Sequence, residues 1–192
     1  MGYVDLTDVK AAAGMASDDD TRDALLTTAI NAATKLIDNE TGRTFTLDAA
    51  ASARVFVPSF GDLLIIDDVG AAAGVVVEVG SVGSTSWSEL DSSAYELHPL
   101  NALAKGKPVT GLAAPASAGW GSRTRVRVTA RWGWPAVPDE VVQACMIQAV
   151  RLFKRKDSPE GIMGSDQWGL ARLSRVDPDV QALIAHLALP GF

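Results

Sequence analysis

A chain of 192 residues of which 47% are apolar has material for a sizeable core, which excludes a disordered polypeptide. Its formal net charge of −6 at pH 7 makes the whole molecule repel free nucleic acid, which argues against a sequence-specific DNA binder and leaves room only for a local basic stripe. Cys145 is the only cysteine, which rules out an intramolecular disulfide framework and a thiolate metal cluster and suits a reducing compartment.

The N-terminal run Met1-Gly2-Tyr3-Val4-Asp5 lacks the basic start and apolar stretch of a signal peptide, and no segment is apolar for long enough to span a bilayer. The expectation is a soluble protein made inside the cell. The first segment reads as two helices. Thr7 is placed to cap a short one over 8–13, closed by Gly14. Ser17 and the acidic run Asp18-Asp19-Asp20 then open a longer helix, with carboxylates at the positive end of its dipole. Leu26, Ile30, Ala33 and Ile37 recur at intervals of four, three and four, one apolar stripe, and Gly42 follows the last turn.

From about residue 53 the period changes. Short β-favouring runs occur at Arg54-Val55-Phe56-Val57, Leu63-Leu64-Ile65-Ile66, Val75-Val76-Val77-Glu78-Val79 and Tyr95-Glu96-Leu97, with Gly, Ser, Pro and Asp between them. The stretch 102–121, rich in Gly, Ala and Pro, reads as a long exposed loop. The clearest strand is 123–132. Arg123, Arg125, Arg127, Thr129 and Arg131 share one face, and Val126, Val128, Ala130 and Trp132 the other. Helix returns at Pro138-Asp139-Glu140, with a predicted stripe of Val142, Cys145, Ala149 and Leu152 and a basic end, Lys154-Arg155-Lys156. A Gly/Ser-rich loop over 157–174 precedes a last helix opened by Asp177-Pro178, with Val180, Leu183, Ile184 and Leu187 in register. The order predicts an α+β fold: a helical bundle from the N- and C-terminal helices carrying an inserted antiparallel β-sheet module. The boundaries fall at 1–48, 49–134 and 135–192.

Chemistry is sparse. His98 and His186 are the only histidines, and no His-Glu-x-x-His, Cys-x-x-Cys, phosphate-cradling loop or nucleophile elbow is present. Neither an enzyme nor a cofactor or metal site is expected. Asp18-Asp19-Asp20 and Asp67-Asp68 lack the spacing of a calcium loop and read as a helix start and a strand end. The arginine face has two readings, pairing with carboxylates such as Glu78, Glu89, Asp91 and Glu96 or meeting DNA phosphates; ion pairing suits an acidic chain better. Lys154, Arg155 and Lys156 serve either helix-end stabilisation or partner binding. Trp120 and Trp168 sit in Gly/Ser-rich segments, where each ring either anchors an interface or is buried by its own loop.

Several runs carry a resemblance. Leu6-Thr7-Asp8-Val9-Lys10 before the acidic helix start, and Ile37-Asp38-Asn39-Glu40-Thr41-Gly42-Arg43-Thr44-Phe45 at the helix end, resemble the head-to-tail connector (adaptor) family of long-tailed bacteriophages, the gp6-like proteins. The join Trp132-Gly133-Trp134-Pro135-Ala136-Val137-Pro138-Asp139-Glu140-Val141 and the tail Arg172-Leu173-Ser174-Arg175-Val176-Asp177-Pro178-Asp179-Val180 are similar to that family as well. The resemblance implies a structural virion protein of the neck, assembled in the host cytoplasm. It implies a closed homo-oligomeric ring of about twelve copies joined head to tail. Its implied partners are the portal protein, the next neck or tail protein, and double-stranded DNA passing through the channel unread. By the same analogy 157–174 and the tail after Leu187, ending in Phe192, are docking elements. Arg123, Arg125, Arg127, Arg131, Lys154, Arg155, Lys156, Trp168 and Phe192 are thus the candidate partner or subunit contacts. The alternatives are another neck or tail-completion (stopper) protein, or a protein-interaction domain unrelated to phage.

Overall fold

The structure, a computed structural model, describes residues 2–59, 61–114, 120, 124–155, 162–163, 171–172 and 177–189. The fold is α+β, as the element order implies, and the chain divides into two compact units: Met1–Arg43 with Val137–Phe192, and Thr44–Ala136.

The helical unit contains α1 (Leu6–Ala13), α2 (Asp23–Thr41), α3 (Asp139–Lys154) and α4 (Pro178–Ile184). The α2 stripe holds: Leu26, Ile30, Ala33 and Ile37 are all buried. Tyr3 anchors the leading segment, its backbone N–H donating to Thr34 Oγ1 at 3.4 Å and its hydroxyl to Asp38. The buried Lys10 ammonium reaches Asp23 at 2.7 Å, which ties α1 to the start of α2. α3 and α4 lie antiparallel: Glu140 at the start of one meets His186 beyond the end of the other at 3.5 Å. Arg151 near the end of α3 pairs with the α4 cap residue Asp177 at 3.1 Å. Asp177 also accepts from the Asp179 N–H at 3.0 Å, the expected cap ahead of a first-turn proline.

The β unit holds two antiparallel sheets. In the first the order is β1 (Ser52–Phe56), β7 (Thr124–Ala130), β3 (Val76–Ser81), β4 (Ser88–Glu89); in the second it is β2 (Leu63–Val69), β6 (Val109–Ala113), β5 (Glu96–His98). Their inner faces share one core. Val126, Val128, Ala130 and Val77 come from the first sheet, Leu64, Ile66, Val69, Val109 and Leu112 from the second, with Trp132 and Trp120 among them. A bridge between Val69 and Trp132 joins the sheets. At this corner three stretches cross: Asp48 N–H donates to Trp132 O (2.8 Å), Gly70 N–H to Arg131 O (3.1 Å) and Gly133 N–H to Asp68 O (2.8 Å). Gly133 has φ +104°, and a Cβ there would collide with the Thr46 carbonyl oxygen.

Several expectations change. α1 starts at Leu6 behind Asp5, not behind Thr7. α2 starts at Asp23, not at the acidic run: Asp19 accepts from the Thr21 N–H (3.1 Å) and hydroxyl (2.5 Å), and this local turn displaces the helix start. The supposed long loop contains a 3-10 turn, Leu103–Lys105, and strand β6. Its low β-propensity is overridden because Gly111 sits where a Cβ would lie 3.0 Å from Leu63 Cδ1 and 3.1 Å from Leu64 O. The α3 stripe is rotated: Val141, Ala144, Cys145, Gln148, Ala149 and Phe153 are buried, while Val142 and Leu152 are half-buried. The Gly/Ser-rich stretch after α3 carries a short antiparallel pair, β8 (Ile162–Met163) with β9 (Ala171–Arg172).

Two substitutions probe this reading. Gly133→Ala is expected to destabilise the β unit by about 3 kcal/mol or more, because it combines a positive φ with a backbone collision; an unchanged urea midpoint would contradict the crossing geometry. Gln148 is 1% exposed and neither amide atom has a hydrogen-bond partner among the described residues. Gln148→Met should therefore raise the stability of the helical unit by about 1 kcal/mol in the same measurement.

Candidate functional site

The arginine face lies on β7, the strand between β1 and β3, and the alternation that buries Val126, Val128 and Ala130 turns Arg125, Arg127 and Thr129 outward. In the ladders Arg127 lies across from Val55 on one side and Glu78 on the other, and Glu78 lies across from Glu89. Arg127 grips Glu78 with both arms of its fork; Nε donates to Oε2 at 2.6 Å and a terminal nitrogen to Oε1. These hydrogen bonds hold the Glu78 carboxyl below its ordinary range and raise the guanidinium correspondingly. The Arg127 guanidinium also lies 4.6 Å from the centroid of the Trp87 ring. Trp87 covers Gly80, where a Cβ would stand 3.0 Å from its Cε3.

The remaining arginines differ. Arg131 Nε donates to Asp48 O at 2.9 Å, a fold contact at the crossing corner. Arg125 lies across from Gly80 and has no carboxylate partner among the described residues. Arg123 lies outside the described residues, as do Lys156, Trp168 and Phe192. At the end of α3, Lys154 is exposed and Arg155 half-buried. Arg151 in that turn pairs with Asp177, a partner the charge pattern did not single out.

The remaining chemistry-bearing groups are taken up by the fold. Asp67 pairs with Arg54 at 2.7 Å, and Asp68 accepts from Trp134 Nε1 at 2.9 Å. Cys145 is fully buried, 3.6 Å from Thr34 Oγ1, and burial pushes its thiol up. Among the described residues, no three His, Cys, Asp or Glu side chains gather as a metal site would need, and no helix is long and apolar enough to cross a membrane. Trp120 folds back: it is buried, and its Nε1 donates to Asp62 O at 3.1 Å and Leu112 O at 3.2 Å.

Four exposed aliphatic side chains were not anticipated. Val55 (51% exposed), Val57 (69%), Leu63 (39%) and Ile65 (67%) point outward from β1, β2 and their connection. The signal was present in the runs 54–57 and 63–66, whose alternate members must face opposite ways, but only the burial of Leu64 and the half-burial of Phe56 say which members face out. For Glu78 the sign of a pH effect is fixed. Its folded value is depressed, so the pair adds stability above the ordinary glutamate value, and this is lost as pH falls through the depressed one. Thermal scans should show wild type losing more stability than Glu78→Gln across that acidic window; parallel curves would contradict the pairing.

No family model matches this chain, and no curated protein matches it. Among solved structures it shares its fold with a chain from the "Neck of empty GTA particle computed with C6 symmetry". The TM-score is 0.61 at 16% identity, and the match covers 98% of this chain and 93% of that one.

Proposed function

We infer that this chain is a structural neck protein of a phage-type particle, and within the neck a head-to-tail connector (adaptor) subunit that acts mechanically, without catalysis. The observation that carries this reading is the shared fold, which runs through both units and nearly the full length of a chain taken from a particle neck. The sequence resemblance to phage connectors points the same way from independent features, caps and joins rather than overall shape.

In this reading copies close into a ring between the portal and the next neck or tail protein, and DNA passes through the opening. The C6 symmetry of the related neck supports a ring, and twelve copies are compatible with a sixfold axis. The net charge of −6 supports passage without grip, since a channel that released few counterions would not hold a sliding polyanion. Arg125, Lys154 and Arg155, with Arg123, Lys156, Trp168 and Phe192, remain the proposed contacts to neighbours or to the portal. The word neck also covers a stopper or tail-completion protein, which is the second reading.

The test is the mass of the purified protein in solution, alone and then mixed with portal-bearing, DNA-filled heads. A ring-sized species, or a monomer that binds heads in many copies per particle, is expected. A monomer that ignores the heads at every concentration overturns the connector reading. Binding only to heads that already carry another neck protein would favour the stopper.

A further inference from the structure

We propose that 177–189, the segment of α4 and the 3-10 turn Ala185–Leu187 that follows it, is a latch. It lifts off α3 as one unit while the rest of the helical unit stays folded, and its lifting brings water to the side chain of Gln148. The latch is a property of the helical unit alone and stands or falls apart from the neck reading.

α4 has seven residues, too few to hold a helix without packing. Its main packing partner is α3, whereas α2 and α3 pack on each other and each on α1. The buried apolar side chains of the segment are Val180, Ile184 and Leu187. Its other attachments are polar. Asp177 meets Arg151 at 3.1 Å at the head of the segment. At the far end Arg43 Nε donates to Leu187 O at 2.7 Å, and the Leu189 N–H donates to Thr41 O at 2.9 Å. Water replaces such partners when a segment lifts, so these bonds set its position more than they resist its release.

The seam beneath the segment carries a cost that opening removes. Cys145 faces α2, its sulfur 3.6 Å from Thr34 Oγ1, and Arg151 faces the head of α4. At about 100° per residue, Gln148 stands between these two, about 60° round α3 from each. That places it where α3 meets both α2 and α4. It is 1% exposed, and neither of its amide atoms has a partner among the described residues. Arg155 Nε, two turns further along nearly the same row, is likewise buried without a partner. An unpaired amide is costly only while water is kept from it. Parting α4 from α3 ends that exclusion at the expense of a few apolar contacts. Parting α2 from α3 would instead expose the stripe Leu26, Ile30, Ala33 and Ile37. The weaker seam is therefore the one under α4, and segments of this kind open ahead of the global transition.

The test is hydrogen exchange followed by mass spectrometry on the full chain, with and without low urea, in wild type and in Gln148→Met. Amides within 180–189, those of Gln181 and Leu189 among them, are expected to exchange at least about tenfold faster than those of 26–37 in wild type. Their rate should respond little to low urea, because a local opening exposes little surface. In Gln148→Met they should slow about fivefold, as removal of a buried unpaired amide implies; Gln148→Leu repeats the measurement if the methionine packs poorly. Exchange of 180–189 in step with 26–37, at the same rate and with the same urea response, means that no separate opening exists and overturns the latch. Fast exchange that both variants leave unchanged puts the opening away from Gln148 and overturns it as well.

Discussion

The β unit depends on the crossing of three chain segments at the Trp132-Gly133 corner. A β7 strand long enough to be the spine of one sheet must leave that sheet, bridge the other at Val69, and pass beneath 46–48. Only a residue without a Cβ passes so close to the Thr46 carbonyl, and three backbone hydrogen bonds tie the segment 131–133 to Asp48 on one side and to Asp68 and Gly70 on the other. The same corner fixes the large aromatic. Trp132 sends its N–H to Ser52 O at 2.8 Å, lies 5.8 Å from Phe56 between ring centroids, and carries the Arg54 guanidinium 4.4 Å from its own. Arg54 in turn holds Asp67, so the first strand of one sheet is linked to an edge strand of the other through an indole and an ion pair.

Charge is handled locally in this acidic molecule. The arginines of β7 and of the corner after it take different partners: a carboxylate and an indole for Arg127, a backbone carbonyl for Arg131, and nothing charged among the described residues for Arg125. A face that reads in sequence as one basic stripe is in fact three chemical environments. This weakens the idea of a phosphate-binding track, because a guanidinium already committed in bidentate fashion has few donors left to offer.

What the sequence made legible follows from what periodicity can report. Helix and strand stripes with a uniformly apolar face, such as Leu26 to Ile37 and Val126 to Ala130, were readable because burial and hydrophobicity coincide there. The α3 face was misplaced because Gln148 occupies its middle, and a polar side chain at a core position is invisible to a hydrophobic pattern. Strand β6 was hidden by Gly111, Ala113 and the surrounding Gly/Ala/Pro bias, since close packing against Leu63 and Leu64 decides it, a tertiary effect. The acidic run was assigned to the wrong element because Asp19 serves a turn as readily as a helix end. As for the candidate contacts, the alternation gave the face of Arg125 and Arg127 but not their partners. The exposure of Val55, Val57, Leu63 and Ile65 was missed because their residue types look like core.

The division of the chain has a consequence for the order in which the protein is made. The β unit is one continuous stretch, Thr44–Ala136, while the helical unit joins Met1–Arg43 to Val137–Phe192 across it. During vectorial synthesis the sheets have all their strands once residue 136 has cleared the ribosome tunnel, and domains fold as units when their sequence is available. α2 by then has been exposed for more than ninety residues of elongation, with Leu26, Ile30, Ala33 and Ile37 facing no α3. The nascent chain therefore carries a finished sandwich and an open greasy helix at the same time, and that helix is the natural foothold for a chaperone until its partner emerges.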